Sequence, residues 1–281
     1  PDPITYQWKN DGQAKYCLDS TGTHFLERDT AGLNTGPVGY TESSQFFETS
    51  KGDVWLYGLG ILFSYDKAQQ RFVFNKSSAS GDVYSINYEV IFQMMEDRDG
   101  SIWIATDRGL YTISSNDNAA SVTNLVFDNK KNTTSITDIL EMPNGDYWLA
   151  SWGEGVRSLD KDFRVIVNDV YKTAAPANWT INQKNAAKLT WNLCRESATG
   201  NIWIGCNDGI LLIHDPKTKH TRYLEPEACN KSTIRFMVED KTGNIWLGTQ
   251  AGRLIRHQQG LFTIMQDIGT IIYKIFIDRQ G

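Results

Sequence analysis

The chain has 281 residues, of which 40% are hydrophobic and 22% charged, with a formal net charge of -5 and a pI near 5.4. This is the composition of a folded globular protein, and its acidic balance excludes the basic footprint of a nucleic-acid binder or of a segment drawn to anionic lipid. No run approaches the roughly 18–20 apolar residues that a membrane-spanning helix needs.

In chain order, Pro1-Asp2-Pro3-Ile4-Thr5 lacks the charged-then-apolar layout of a secretory leader. Ile4-Thr5-Tyr6-Gln7-Trp8 reads as the last strand of a preceding unit. Leu18-Asp19-Ser20-Thr21-Gly22-Thr23-His24-Phe25-Leu26 is then the first, divergent copy of a phrase that recurs along the chain. The phrase runs through an acidic residue, a turn glycine, an apolar residue with tryptophan, and a second glycine. Fuller copies centre on Gly52-Asp53-Val54-Trp55, Gly100-Ser101-Ile102-Trp103, Gly145-Asp146-Tyr147-Trp148, Gly200-Asn201-Ile202-Trp203 and Gly243-Asn244-Ile245-Trp246. A last copy opens at Ile271 and reaches Asp278 and Gly281, where its tryptophan strand is due. Its anchoring glycines, at 22, 52, 100, 145, 200, 243 and 281, lie 30 to 55 residues apart, the spacing of a propeller or an array.

Punctuation cuts each copy into four strands. An acid-ended run such as Val90 to Asp97 or Ile234 to Asp240 comes first, followed by a glycine turn and the tryptophan strand. A third strand follows, as in Ile61 to Asp66 or Ile210 to Asp215, and a weaker fourth, as in Arg71 to Phe74 or Thr221 to Leu224. In the tryptophan strand Ile202 and Ile204 point one way and Trp203 the other. A strand bulky on both faces must be covered on both, which sheets packed face to face around an axis achieve. The expected fold is therefore all-β: a β-propeller of four-stranded blades, with six full repeats and partial blades at both ends. It forms a six- or seven-bladed ring, or part of one, as one domain over residues 1–281 of a longer multidomain chain. Excess length falls in loops, notably Tyr171 to Lys188 and Ser114 to Ser121, which repeat proteins gather on one face.

The phrase Asp-x-x-Gly-Asn-Ile-Trp-Leu-Gly-Thr at 240–249, with its counterparts at 94–113, 141–160 and 49–66, resembles the two-component regulator propeller repeat. That resemblance implies an input domain of a hybrid sensor histidine kinase of the kind found in Bacteroidetes. It also implies a periplasmic location outside an inner membrane and tandem propellers or a β-sandwich domain as neighbours. In the family many such domains detect oligosaccharides. The expected function is thus a ligand-sensing propeller that recognises a glycan-derived or other small ligand and signals to a kinase beyond this chain.

No catalytic constellation is legible. His24, His214, His220 and His257 form no metal-ligand spacing, and His214 and His257 fall at equivalent repeat positions. No nucleophile elbow, phosphate loop or dinucleotide fingerprint occurs. Asp19, Asp97, Asp240 and Asp278 tempt a paired-carboxylate reading, yet each stands three residues before a turn glycine, where an acid caps the turn. The chain is expected to be no enzyme and to need no cofactor or metal. Cys17, Cys194, Cys206 and Cys229 read as buried small apolar residues, with a cross-strand Cys194–Cys206 disulfide as the alternative.

Specificity is expected where the copies differ, in the turns between second and third strands. Tyr57 and Trp152 are candidates for stacking on sugar rings, and Arg108, Glu154, Asp208 and Gln250 for hydrogen bonds to hydroxyls. Two competing readings stand beside the sensor: a protein-interaction or homodimerisation scaffold, and a propeller lyase or glycosidase using Glu154 or Asp208. Nucleic acid is not an expected partner, and this segment is expected to make no membrane contact.

Overall fold

A computed structural model describes residues 7–10, 15–18, 24–27, 44–74, 86, 88–113, 122–125, 134–166 and 170–278. Every sheet is an antiparallel meander, each strand turning back on its neighbour in sequence. The first has three strands, β1 (Gln7–Asn10), β2 (Lys15–Leu18) and β3 (His24–Glu27). Five four-stranded sheets follow. They comprise β4 (Gln45–Glu48), β5 (Val54–Gly58), β6 (Ile61–Asp66) and β7 (Arg71–Phe74), then β8 (Ile91–Glu96), β9 (Ile102–Thr106), β10 (Gly109–Ile113) and β11 (Val122–Leu125). The third set is β12 (Ile136–Glu141), β13 (Tyr147–Ser151), β14 (Gly155–Leu159) and β15 (Val165–Ile166). The fourth is β16 (Thr190–Arg195), β17 (Ile202–Cys206), β18 (Leu211–Asp215) and β19 (His220–Leu224). The fifth is β20 (Ile234–Glu239), β21 (Ile245–Thr249), β22 (Arg253–Gln258) and β23 (Leu261–Asp267).

These are the propeller blades that the repeat predicts. The copy anchored at Gly22 gives β2 and β3, while β1, expected as the last strand of a preceding unit, pairs with β2 in the same sheet. Gly22 itself with residues 28–43 lies outside the described residues. Residues 271–278 run without a ladder of their own. They nevertheless take the place of a first strand, because Ile272 donates its N–H to the Thr249 carbonyl at 3.1 Å and packs on Gly248 as Ile234 packs on Gly205.

The recurring acid closes its turn. One Asp97 oxygen accepts the Asp99 and Ser101 amides at 3.0 and 2.9 Å. The other accepts the Trp103 indole at 2.7 Å and the Tyr147 hydroxyl of the next blade at 3.0 Å. Asp240 repeats the pattern with the Thr242 and Asn244 amides and the Trp246 indole, each at 2.8–2.9 Å. Burial works to raise the Asp240 carboxyl, but the hydrogen bonds from Trp246, Asn244 and Thr242 outweigh it and hold the group well below the usual carboxylate range. The turn glycines at 52, 100, 145, 200 and 243 all have φ between +76° and +87°, a region open to glycine at little cost.

Between blades, the tryptophans do the packing. Trp103 meets Tyr147 and Phe163 of the following blade at ring-centroid distances of 4.5 and 5.0 Å. Trp148 meets His214 at 5.5 Å, and Trp203 meets His257 at 4.7 Å. The two equivalent histidines are thus packing partners of the preceding indole. The long insertion departs from a plain loop. It forms a short helix, α1 (Ile181–Ala186), with a Thr180–Gln183 capping box, and buries Trp179 edge-on against Tyr223 at 5.4 Å. The Cys194–Cys206 disulfide is not formed. Both thiols are free and buried, because Cys194 pairs across the ladder with Trp203 and Cys206 with Thr190.

Deleting the fully buried Trp103 side chain removes an interblade contact and one of the four hydrogen bonds to the Asp97 carboxylate. Trp103→Ala is expected to lower unfolding stability by about 3–5 kcal/mol, read as a shift of the urea midpoint. A loss below about 1 kcal/mol would contradict the interblade role.

Candidate functional site

The first strands of four blades carry a bulge at the same place. Ladder pairing skips one residue between Ile91 and Gln93, Ile136 and Asp138, Thr190 and Asn192, and Ile234 and Phe236. A bulge re-aims side chains next to the extra residue. Here the skipped Phe92, Thr137, Trp191 and Arg235 and the following Gln93, Asp138, Asn192 and Phe236 all line one cavity, joined by Gln45 and Tyr273. Since these come from the first strands, the cavity lies on the axis around which the blades are arranged. Its volume is about 50 Å³.

One tier of this lining is polar. Asp138 is buried and accepts the Asn192 side-chain amide at 2.6 Å, the Leu193 N–H at 2.8 Å and the Ile139 N–H at 2.9 Å. Asn192 in turn accepts the Met237 N–H at 2.7 Å. Across the axis, Gln45 accepts the Tyr57 hydroxyl at 2.9 Å and the Lys274 ammonium at 3.3 Å. Burial pushes the Asp138 carboxyl up to about 7, against the pull of the Leu193 and Ile139 amides, the Lys274 charge and the Asn192 amide. Burial likewise lowers Lys274, and the Asp138 charge offsets part of that shift.

The other tier is aromatic. The Trp191 indole donates to Asn207 at 2.6 Å. The Arg235 guanidinium lies 3.5 Å from the Trp191 ring centroid and 5.5 Å from that of Tyr273, a desolvated cation–π arrangement. Phe92 meets Trp191 edge-on at 6.3 Å. Trp152 does so at 4.7 Å with an interplanar angle of 84°, while the residue itself is 43% exposed. The Trp152 N–H is held by the Ser135 carbonyl at 3.0 Å, and the residue bridges to Leu189.

Of the six residues singled out from the sequence, Trp152 reaches the axial cluster by its ring and Tyr57 by its hydroxyl, on Gln45. Asp208 is exposed beside Asn207, with φ +56°. Arg108 is ion-paired with Glu89 and, at 3.5 Å, with Asp107, and Glu154 with Arg157 at 2.8 Å. Gln250 is half-buried, its N–H on the Thr233 carbonyl at 2.8 Å. Tyr57 is corrected: it lies within β5, not in a turn, and is almost wholly buried, so no ring face is open to stack on a sugar. The axial residues Phe92, Asp138, Trp191, Asn192, Arg235 and Tyr273 were not singled out from the sequence. A signal for the polar tier does exist there. Gln45, Gln93, Asp138 and Lys274 each stand seven residues before an anchoring glycine, at 52, 100, 145 and 281.

Asp138 generates a pH signature. Its folded-state value near 7 lies above the unfolded value of about 3.9, so the folded chain holds this proton more tightly. The stability this contributes is full below pH about 4 and is lost as the pH rises through about 7. The Asp138 side-chain carboxyl carbon is expected to titrate with a midpoint near 7 by NMR. A midpoint near 4 would show the three donors and Lys274 overriding burial.

Among the described residues no cluster of His, Cys, Asp and Glu is placed to hold a metal ion, and no helix is long and apolar enough to cross a membrane. No curated protein matches the chain. The two component regulator propeller family matches at residues 85–108. Among solved structures, the chain is similar to the extracellular domain of the hybrid two component system BT3049 from B. thetaiotaomicron, with 22% identity and a TM-score of 0.63 over 78% of this chain and 29% of that one. The corresponding domain of BT4673 from B. thetaiotaomicron gives 19% identity and a TM-score of 0.61 over 83% and 32%. A virginiamycin B lyase from Staphylococcus aureus shares the fold at 12% identity, with a TM-score of 0.57 over 78% and 67%. The chain thus spans about a third of the length of the two component relatives. It is an all-β propeller that carries a two component regulator propeller repeat.

Proposed function

We propose that this chain is a ligand-sensing propeller of a hybrid two-component system, facing the periplasm, that recognises a glycan-derived ligand and signals to a histidine kinase elsewhere in the protein. The observation that carries the reading is Trp152. It is a large aromatic residue left 43% exposed, packed against Trp191, which lines the axial cavity. An indole fixed in this way presents an apolar face beside polar groups, the combination that ligand sites use for orientation and specificity. The neighbouring turns add Asp208, Glu154, Arg108 and Gln250, polar side chains that differ from blade to blade. Of the two acids that a lyase or glycosidase reading would use, Glu154 is ion-paired with Arg157 and Asp208 is exposed on its turn. On calorimetric titration with a panel of neutral and acidic oligosaccharides, at least one is expected to bind. Trp152→Ala should weaken that binding about tenfold, or about 1.4 kcal/mol, with little change in unfolding temperature. A chain that ignores every glycan and binds another ligand class defeats the sugar reading.

A second reading, an interaction or dimerisation scaffold, is favoured by the outer strand β23. Leu261 is 71% exposed there, and Ile264, Met265 and the adjoining Ile268 are also open. An apolar edge strand is a pairing template. If it serves as one, light scattering should find a dimer that the double substitution Leu261→Lys and Ile264→Lys returns to monomer with ligand binding intact. A monomer at all concentrations removes this reading.

A further inference from the structure

The axial cavity has an electrostatic character that the turns do not share. Its aromatic tier contains a guanidinium, Arg235, which is only 9% exposed. Stacking on Trp191 occupies the face of the guanidinium, whereas its N–H donors lie in its plane and suit a carboxylate. The cavity volume of about 50 Å³ is about a third of the ~150 Å³ that encloses a benzene ring. A sugar ring cannot enter, but a small charged substituent can. Trp152, a partly exposed residue, packs its ring against the same Trp191. Asp138, the acid of this lining, is turned to the Asn192, Leu193 and Ile139 donors in the polar tier. Lys274, bonded to Gln45, adds a second cation at the axis.

We propose that the axial cavity is a carboxylate subsite, in which Arg235 receives the acid group of a uronate residue while the sugar ring stays at the rim against Trp152. The inference rests on the glycan reading and narrows it to acidic sugars. It also separates two jobs: Trp152 supplies affinity for a ring, and Arg235 supplies discrimination for charge. Arg235 is a specificity residue, and its loss should not abolish binding of neutral sugars.

The test is calorimetry on the whole chain with matched probes: an oligoglucuronide or oligogalacturonide, the neutral oligosaccharide of the same linkage, and acetate and benzoate as carboxylates without a sugar. The acidic oligosaccharide is expected to bind at least about tenfold tighter than the neutral one. Arg235→Met should bring the acidic ligand down to the neutral level and leave the neutral one unchanged. Arg235→Lys, which keeps the charge and loses the fork, should fall between them and serves if the methionine variant does not fold. Equal binding of acidic and neutral sugars by the unaltered chain overturns the subsite and leaves the glycan reading standing. A preference that survives Arg235→Met also overturns it. Arg235-dependent binding of acetate or benzoate, with neither oligosaccharide binding, supports an anion site and removes the glycan reading. If none of the probes binds, both fall.

Discussion

The fold depends on how closely the second strand of one blade can approach the first strand of the next. Two residues after the indole, four of the tryptophan strands carry a small residue: Ala105, Ala150, Gly205 and Gly248. A Cβ added at Gly205 would lie 2.9 Å from Ile234 Cγ2, and one at Gly248 only 2.5 Å from Ile272 Cγ2, closer than packed carbons approach. Those isoleucines stand where the next first strand begins. The small residue therefore brings the next inner strand in, while the tryptophan on the same face fills the gap to the next blade's third and fourth strands, as Trp203 does against His257 and Phe262. The strand β5 breaks the rule with Tyr57, whose hydroxyl instead bonds to Gln45 at the axis.

Close approach of the inner strands creates the axis, and the bulges give it side chains. In a regular strand alternate residues face opposite ways, so a first strand would offer the axis every second residue. The skipped residue in β8, β12, β16 and β20 brings consecutive side chains to it, an aromatic, hydroxyl or cationic group followed by an amide, acid or ring. This explains how an acid and an amide come to be buried without loss of partners. Asp138 and Asn192 sit on adjacent first strands at equivalent positions, near enough to bond at 2.6 Å. Unpaired, either group would cost several kcal/mol to bury.

The repeat made the strands, turns and interblade tryptophans legible, because these residues recur for a local reason that a single copy already displays. Asp97 and Asp240 cap their turns as their spacing from glycine implies. His214 and His257 are packing groups because both fall beside the preceding indole. The axial site was hidden for the opposite reason. Trp191 and Arg235 follow no alternation that points them inward, since the bulge that turns them is a property of pairing between strands. Tyr57 adjoins Gly58, which resembles turn punctuation, although β5 continues through Gly58. The helix α1 escaped notice because six residues are too few for a periodic apolar face, and the Thr180–Gln183 box is its one local signature.

Repetition and recognition make contrary demands on such a molecule. A ring of equivalent strands would offer a ligand the same contacts in several orientations, and none would be preferred. The axial positions remove that degeneracy. Gln45, Gln93, Asp138, Asn192, Phe236 and Lys274 occupy corresponding places on successive first strands, yet include amides, an acid, an aromatic and a cation. The tier above differs as sharply, with Phe92, Thr137, Trp191, Arg235 and Tyr273. The ladder bonds are made by backbone and the aromatic interblade contacts by the tryptophan strands, so variety at the axis is tolerated where each buried polar group keeps a partner, as Asp138 and Asn192 do. Chemical asymmetry at the axis is thus compatible with repetition in the blades, and it is there that a single bound orientation can be specified.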